Sequence, residues 1–200
     1  MPGPTLRVAN TPGGCHRARR LFAVVVTAAA VAGGGVATVA ADGPSPVVVA
    51  RVDGVYRVSA AFAVTQSVAV VTATLTDYAG IPRFMPEVRT SQVIERTPTG
   101  ALVVQEAQAK FLMFSRRVHL VLDVRESAGR IQFKDRCGTS FTQYEGAWTI
   151  GTDAGATQVS YELSAQPSFD VPEFVLRRLL KRDATQMITR LKAEIASRAH

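Results

Sequence analysis

The 200-residue sequence predicts an α+β fold, a curved antiparallel sheet of about seven strands wrapped around one long C-terminal helix. Three features of the chain predict it. From Val88 to Ala165, apolar and polar residues alternate with the period of two that a half-buried strand requires, interrupted only by short turn signals. From Asp170 to about Ser197, apolar residues recur at helical spacing. Between the first strand-like run and the meander lies LTDYAGIPRFMPEV, Leu75 to Val88, which sets Ile81, Phe84 and Met85 around Pro82 and Pro86 in a stretch too broken by proline for one long helix.

The chain begins with a leader. Residues 1–41 carry Arg7, Arg17, Arg19 and Arg20 and no acidic residue, which leaves 19 basic against 16 acidic residues beyond them. The sequence pI near 10.0 therefore reflects partly the leader and partly a modest surplus, and no nucleic-acid partner is expected. His16 to Arg20 forms a basic n-region and Leu21 to Ala41 is uncharged. Val39-Ala40-Ala41 before Asp42 fits a small-residue cleavage site. Residues 1–41 read as a signal peptide, and the protein as exported, periplasmic or secreted. The alternative is a membrane anchor over residues 21–41, because that many uncharged residues reach across about 30 Å of hydrocarbon. The run Gly33-Gly34-Gly35 and the alanines around it weaken that alternative. A lipoprotein is disfavoured, since Cys15 precedes the apolar region. Once the leader is removed Cys137 stands alone, and stability must come from the core.

Residues 42–54 read as a linker and an N-terminal extension, and the domain proper as residues 55–197. Val58, Ala60, Phe62 and Val64 alternate with Arg57, Ser59 and Ala61, which predicts a first strand. SVAVVTATLTDY is ambiguous. Its valines and threonines favour a strand, yet Val68, Val71, Leu75 and Tyr78 recur at helical spacing behind cap-type residues. Six further strands are expected near Val88 to Arg96, Ala101 to Phe114, Arg116 to Glu126, Arg130 to Asp135, Phe141 to Gly151 and Thr157 to Ala165. The turns between them are too short for anything but an antiparallel meander. In RRVHLVLDVRE, Val118, Leu120, Leu122 and Val124 take one face and Arg117, His119, Asp123 and Arg125 the other.

Asp170 is placed to cap the last helix, with Glu173 three residues on and Pro172 in the first turn. Leu176, Leu180, Met187, Leu191 and Ile195 make its apolar stripe, and the helix runs to about Ser197, about 40 Å at 1.5 Å per residue. Such a stripe must lie on the apolar face of the sheet. One helix cannot fill a strongly curved sheet, so a cavity is expected beside it.

In this order of elements the chain resembles the START-like, or SRPBCC, superfamily, and is most similar to its polyketide cyclase/dehydrase and coenzyme Q-binding domains. The matching residues are Leu75-Thr76-Asp77-Tyr78, Pro82, Phe84-Met85-Pro86, Val88, Ser91 and Val93. Tyr144-Glu145-Gly146-Ala147-Trp148 and a Phe174-containing helix after Pro172 follow. The resemblance covers residues 55–197. It implies the helix-grip fold, with SVAVVTATLTDY as a first short helix and AGIPRFMP as a second short helix or turn at one end of the cavity. It also implies a hydrophobic ligand such as a lipid, quinone or polyketide, since members of this superfamily bind such molecules, many of them without catalysis.

Catalytic machinery is hard to find in the sequence. His119 alternates onto the polar face, no G-x-S-x-G occurs, and no metal-ligand spacing or glycine-rich phosphate loop is present, so neither a metal nor a cofactor is expected. Asp77 and Tyr78 are the candidate acid and base for a cyclisation, set against a structural reading in which Asp77 caps or ion-pairs and Tyr78 packs. The better case is for binding. Tyr78, Ile81, Phe84, Met85, Phe111, Met113, Leu120, Phe133, Tyr144, Trp148, Tyr161, Phe174, Leu180 and Met187 are the candidate ligand-binding residues. Arg177, Arg178, Lys181 and Arg182 beside leucines are a candidate contact with a membrane surface. The expected function is non-catalytic binding or transport of a hydrophobic small molecule. The alternatives are a polyketide cyclase/aromatase-type enzyme or an interaction module with a side-chain-filled core.

Overall fold

In chain order the elements are β1 (Val48–Val52), β2 (Val55–Val64), α1 (Val68–Leu75), a 3-10 turn (Tyr78–Gly80), α2 (Ile81–Phe84), β3 (Val88–Thr97), β4 (Gly100–Phe111), β5 (Phe114–Ser127), β6 (Arg130–Asp135), β7 (Phe141–Asp153), β8 (Ala156–Pro167) and α3 (Glu173–Ser197). The computed structural model describes residues 46–111 and 114–198. The strands form one antiparallel sheet in the order β1-β2-β8-β7-β6-β5-β4-β3. It is the α+β arrangement expected, with one strand more than the seven counted from the sequence. The extra strand is β1, part of the segment read as an N-terminal extension. It pairs with β2 through a two-residue turn at Asp53 and Gly54, both at positive φ (51° and 81°). Asp-Gly between two apolar runs is the strongest short hairpin signal a sequence carries, and here it marks a real turn.

The ambiguous segment is helical. Ser67 Oγ accepts the Val70 N–H at 3.4 Å, and the hydroxyls of Thr74 and Thr76 fold back onto the carbonyls of Val70 and Thr72. These bonds occupy side chains that would otherwise compete with the helix, and packing of Val71 and Thr74 into the core decides the rest.

The long helix starts later than expected. Its N-cap is Pro172, in an extended conformation, and no side chain caps it. Asp170 is therefore not the cap, because the ring of Pro172 holds the preceding residue extended and the helix turns only from Glu173. Glu173 instead bonds Arg51 of β1 at 2.7 Å. α3 rests mainly on β1, β2, α1 and α2. It buries Leu176, Ala184, Ile188, Leu191 and Ile195 against a core that includes Val58, Phe62, Val71, Val103 and Val159, while Leu180 and Met187 are half-buried.

Among the described residues no helix is long and apolar enough to cross a membrane. Cys137 follows β6, and its Sγ lies 2.9 Å from the Thr139 hydroxyl. The chain's other cysteine, Cys15, lies outside the described residues, as does the rest of the leader.

Candidate functional site

The register of β6, β7 and β8 gathers aromatic rings on the concave face. Ile131 and Tyr161 both stand opposite Trp148, and Phe133 stands opposite Gly146. Ring centroids of Trp148 and Tyr161 are 4.4 Å apart, and those of Phe141 and Tyr144 are 4.9 Å apart. The Phe133 ring lies between Tyr144 at 6.0 Å and Tyr161 at 6.5 Å. Gly146 makes this possible. A Cβ there would fall 2.6 Å from Phe133 Cζ and 2.3 Å from the carbonyl oxygen of Glu162, so only glycine lets the Phe133 ring cross the strand.

These rings occupy the middle of the sheet, where side chains are ordinarily sealed. Phe133, Phe141, Tyr144 and Trp148 nevertheless remain only half-buried, while Tyr161 is buried. α3 lies chiefly over the other half of the sheet. Tyr144 keeps part of its surface, yet it sits so deep that burial, aided by the charge of Asp135, pushes its phenol up to about 12. Burial pushes the Tyr161 phenol up as well. Among the described residues neither hydroxyl has a hydrogen-bond partner.

The proline-broken segment packs against the same core. Met85 is buried and Ile81 and Phe84 are half-buried against the core. It is tied down from several sides. Arg190 of α3 binds Glu87, and Arg198 binds Asp77 at 2.7 Å. Tyr78 Oη donates to Glu126 Oε1 at 2.7 Å, and Arg96 also pairs with Glu126.

These bonds decide how Asp77 and Tyr78 are used. The Asp77 carboxylate accepts from Arg198, from Arg83 at 2.6 Å and from the Gly80 N–H at 3.0 Å. The Arg198 hydrogen bond is the largest cause holding its carboxyl below the usual range, the opposite of what a general acid needs. Burial, with Glu126 beside it, pushes the Tyr78 phenol far up. Both residues fasten the segment to α3 and β5. A carboxyl whose value is depressed in the folded state contributes stability above its unfolded value of about 3.8. That contribution is lost as pH falls through the lower folded value. Asp77→Ala is expected to lower unfolding free energy by about 1–2 kcal/mol at neutral pH. In urea titrations its deficit against wild type should narrow progressively below about pH 4.

His119 lies on the outer face, as expected. Its Nδ1 is 2.5 Å from Glu106 Oε1, and the Ser140 hydroxyl accepts from its main-chain N–H at 3.0 Å, so the serine is engaged with backbone and not with the ring. A groove of about 510 Å³ runs along the β4–β5 hairpin, lined by Glu95, Thr97, Asp123, Arg125, Gln132 and Arg136 among others. Its lining is strongly polar, and it contains none of the residues nominated from sequence.

Of those nominated residues, the structure brings Phe133, Tyr144, Trp148 and Tyr161 into one cluster and places Leu120 in the core of the same sheet. Leu180 and Met187 are on the inner side of α3. Met113 and the side chain of Phe111 lie outside the described residues. Phe174 is a correction, since it is 75% exposed and lines no interior surface. With the helix starting at Glu173, its side chain points away from the face that buries Leu176. Phe141 is the residue the sequence reading missed. A register shift between Phe141 and Gln143 turns it onto the concave face, and strict alternation counted from Tyr144 assigns it to the other.

Solved structures share this fold. A START superfamily protein from Mycobacterium smegmatis is 17% identical, with a TM-score of 0.60 over 70% of this chain and 97% of that one. The Zhui aromatase/cyclase from Streptomyces sp. R1128 is 14% identical, with a TM-score of 0.63 over 73% and 96%. A STAR-related lipid transfer protein from Xanthomonas axonopodis is 15% identical, with a TM-score of 0.58 over 77% and 99%. No curated protein matches the chain by sequence. Residues 64–192 match the model of the polyketide cyclase / dehydrase and lipid transport family, and the chain therefore belongs to that family of START-like (SRPBCC) domains.

Proposed function

We propose that the domain binds and carries, without changing it chemically, a hydrophobic small molecule of the lipid, quinone or polyketide type. The ligand lies in the recess walled by Phe133, Tyr144, Trp148 and Tyr161 and closed by the Ile81–Phe84 helix and Met85. The observation that carries this reading is the half-burial of aromatic rings in the middle of the sheet, around two tyrosine hydroxyls that have no protein partner among the described residues. Removing apolar ligand surface from water supplies about 25 cal/mol per Å² as an upper guide, and the phenols orient one polar group of the ligand. The family's description as lipid transport and the lipid-transfer relative support the reading. The depressed Asp77 carboxyl weighs against a cyclase that uses it as an acid. The basic n-region and the uncharged run of residues 21–41 support export from the cytoplasm.

Trp148 is the chain's single tryptophan, so its emission reports directly on the recess. Titrating the exported protein with a decyl benzoquinone is expected to quench that emission saturably, with a Kd on the order of 1 μM. Native mass spectrometry of the same sample is expected to show an apolar molecule that co-purifies and a chain beginning at Asp42. Unchanged Trp148 emission together with a ligand-free mass would sink the binding reading, and an intact residue 1–41 segment would sink the cleaved leader.

A further inference from the structure

The first turns of α3 carry an aromatic side chain that nothing covers. Phe174 is 75% exposed, more than any other large hydrophobic among the described residues. Arg177, Arg178 and Lys181 follow at spacings of three, four and seven, which places them on the same side as Phe174 and away from the buried Leu176. These cations are not equivalent. Arg177 is held by Glu173 at 3.3 Å, and Arg182 by Asp183 at 2.8 Å. Among the described residues no carboxylate pairs with Arg178 or Lys181, and both are exposed.

One more cation reaches this end of the domain from another element. Arg116, near the start of β5, stacks with its guanidinium carbon 3.6 Å from the centroid of Phe169, in the connection between β8 and α3. Arg116 is exposed and has no carboxylate partner among the described residues. The stacking draws the start of β5 to the start of α3.

We infer that this end of the domain, which presents Phe174 together with Arg178, Lys181 and Arg116, docks on an anionic lipid bilayer. An isolated exposed aromatic ringed by uncompensated cations suits the bilayer interface, where the ring enters the headgroup boundary while the cations meet lipid phosphates. Charge complementarity selects this partner over a second copy of the chain. A two-fold contact through the patch would set the same three cations against one another. The surface lies apart from the aromatic recess, and its docking does not depend on what the recess holds.

The test is co-sedimentation of the full chain with phosphatidylcholine vesicles and with vesicles containing about one third phosphatidylglycerol. Residues 1–41 carry four arginines that also favour anionic lipid, and they are common to all variants, so the readout is the difference between each variant and wild type in the gain on anionic lipid. Wild type is expected to show that gain and to lose it at high salt. Arg178→Gln with Lys181→Gln should weaken anionic binding about fivefold per cation, roughly 25-fold together. Phe174→Ser should weaken it about tenfold. Thermal melts should be unchanged, because all three side chains are exposed. The inference is overturned if both variants keep the wild-type preference for anionic vesicles. It is also overturned if Phe174→Ser abolishes only a concentration-dependent dimer in vesicle-free solution. Trp148 quenching without vesicles should be the same in these variants as in wild type, which separates failure of this surface from failure of the recess.

Discussion

Gly146→Val is expected to destabilise the domain by about 3 kcal/mol and to weaken ligand binding at the same position in the fold. Gly146 sits on β7 between β6 and β8, and a Cβ there meets the Glu162 carbonyl oxygen at 2.3 Å and Phe133 Cζ at 2.6 Å. The first contact is with backbone held in the β7–β8 ladder, so rotating a side chain does not relieve it. The second is with a ring wedged between Tyr144 and Tyr161. A branched side chain must therefore push β8 away or expel Phe133, and expelling it dismantles the recess wall. Urea denaturation should show a lower midpoint. Titration with the benzoquinone under native conditions should show weaker Trp148 quenching. A variant with wild-type midpoint and wild-type quenching would contradict the packing described.

Phe62→Ala should cost more, about 3–5 kcal/mol. Phe62 is 2% exposed and stands opposite Val159, on β2, one of the two strands that α3 rests on. Its removal takes away a large transfer free energy and leaves a cavity beneath a helix held by many other contacts, so the site has little freedom to collapse. Against a typical total of about 5–15 kcal/mol, that loss leaves the domain marginal. The midpoint should fall while the slope with denaturant stays as in wild type. A loss below about 1 kcal/mol would mean that Phe62 borders empty space and not packed core. The two substitutions thus divide the interior, since Phe62 belongs to the sealed half under α3 and Gly146 to the half that stays partly open.

Much of this architecture was legible from the chain. The alternation in RRVHLVLDVRE placed Val118, Leu120, Leu122 and Val124 inside and His119 outside, and each lies where the period of two puts it. The α3 stripe was likewise readable, with Leu176, Leu191 and Ile195 buried. Errors arose where a local rule met a competing one. Asp170 and Glu173 have the spacing of a capping box, but Pro172 between them delays the helix, and Glu173 bonds Arg51 from a strand 122 residues earlier. The Asp53-Gly54 turn was available in the sequence, and only its bearing on a short, separate β1 was missed.

The site was less legible than the fold, for a physical reason. Parity assigns a side chain to a face, and it carries no information about whether that face is sealed or hollow. Trp148 and Phe62 are both large apolar residues in strands, and only the placement of α3 over β1 and β2 makes one half-buried and the other buried. Phe141 reached the recess through a register shift that one strand cannot display without its partner. Phe174 has the composition of a wall residue and lies on the surface, because helix phase relative to the sheet is set by packing.

The sequence by itself determined the class of the fold, the meander of six strands after the proline-broken segment, and the faces of its clearest strands, because period and turn chemistry are local properties of the chain. Local pattern left SVAVVTATLTDY open and the family resemblance assigned it to a helix, while tertiary structure alone decided the bonding that fastens Asp77 and Tyr78 and which cations beside Phe174 remain unpaired. Those outcomes depend on partners far away in the sequence, Glu126, Arg198 and Glu173 among them, and long-range pairing has no signature in any one segment.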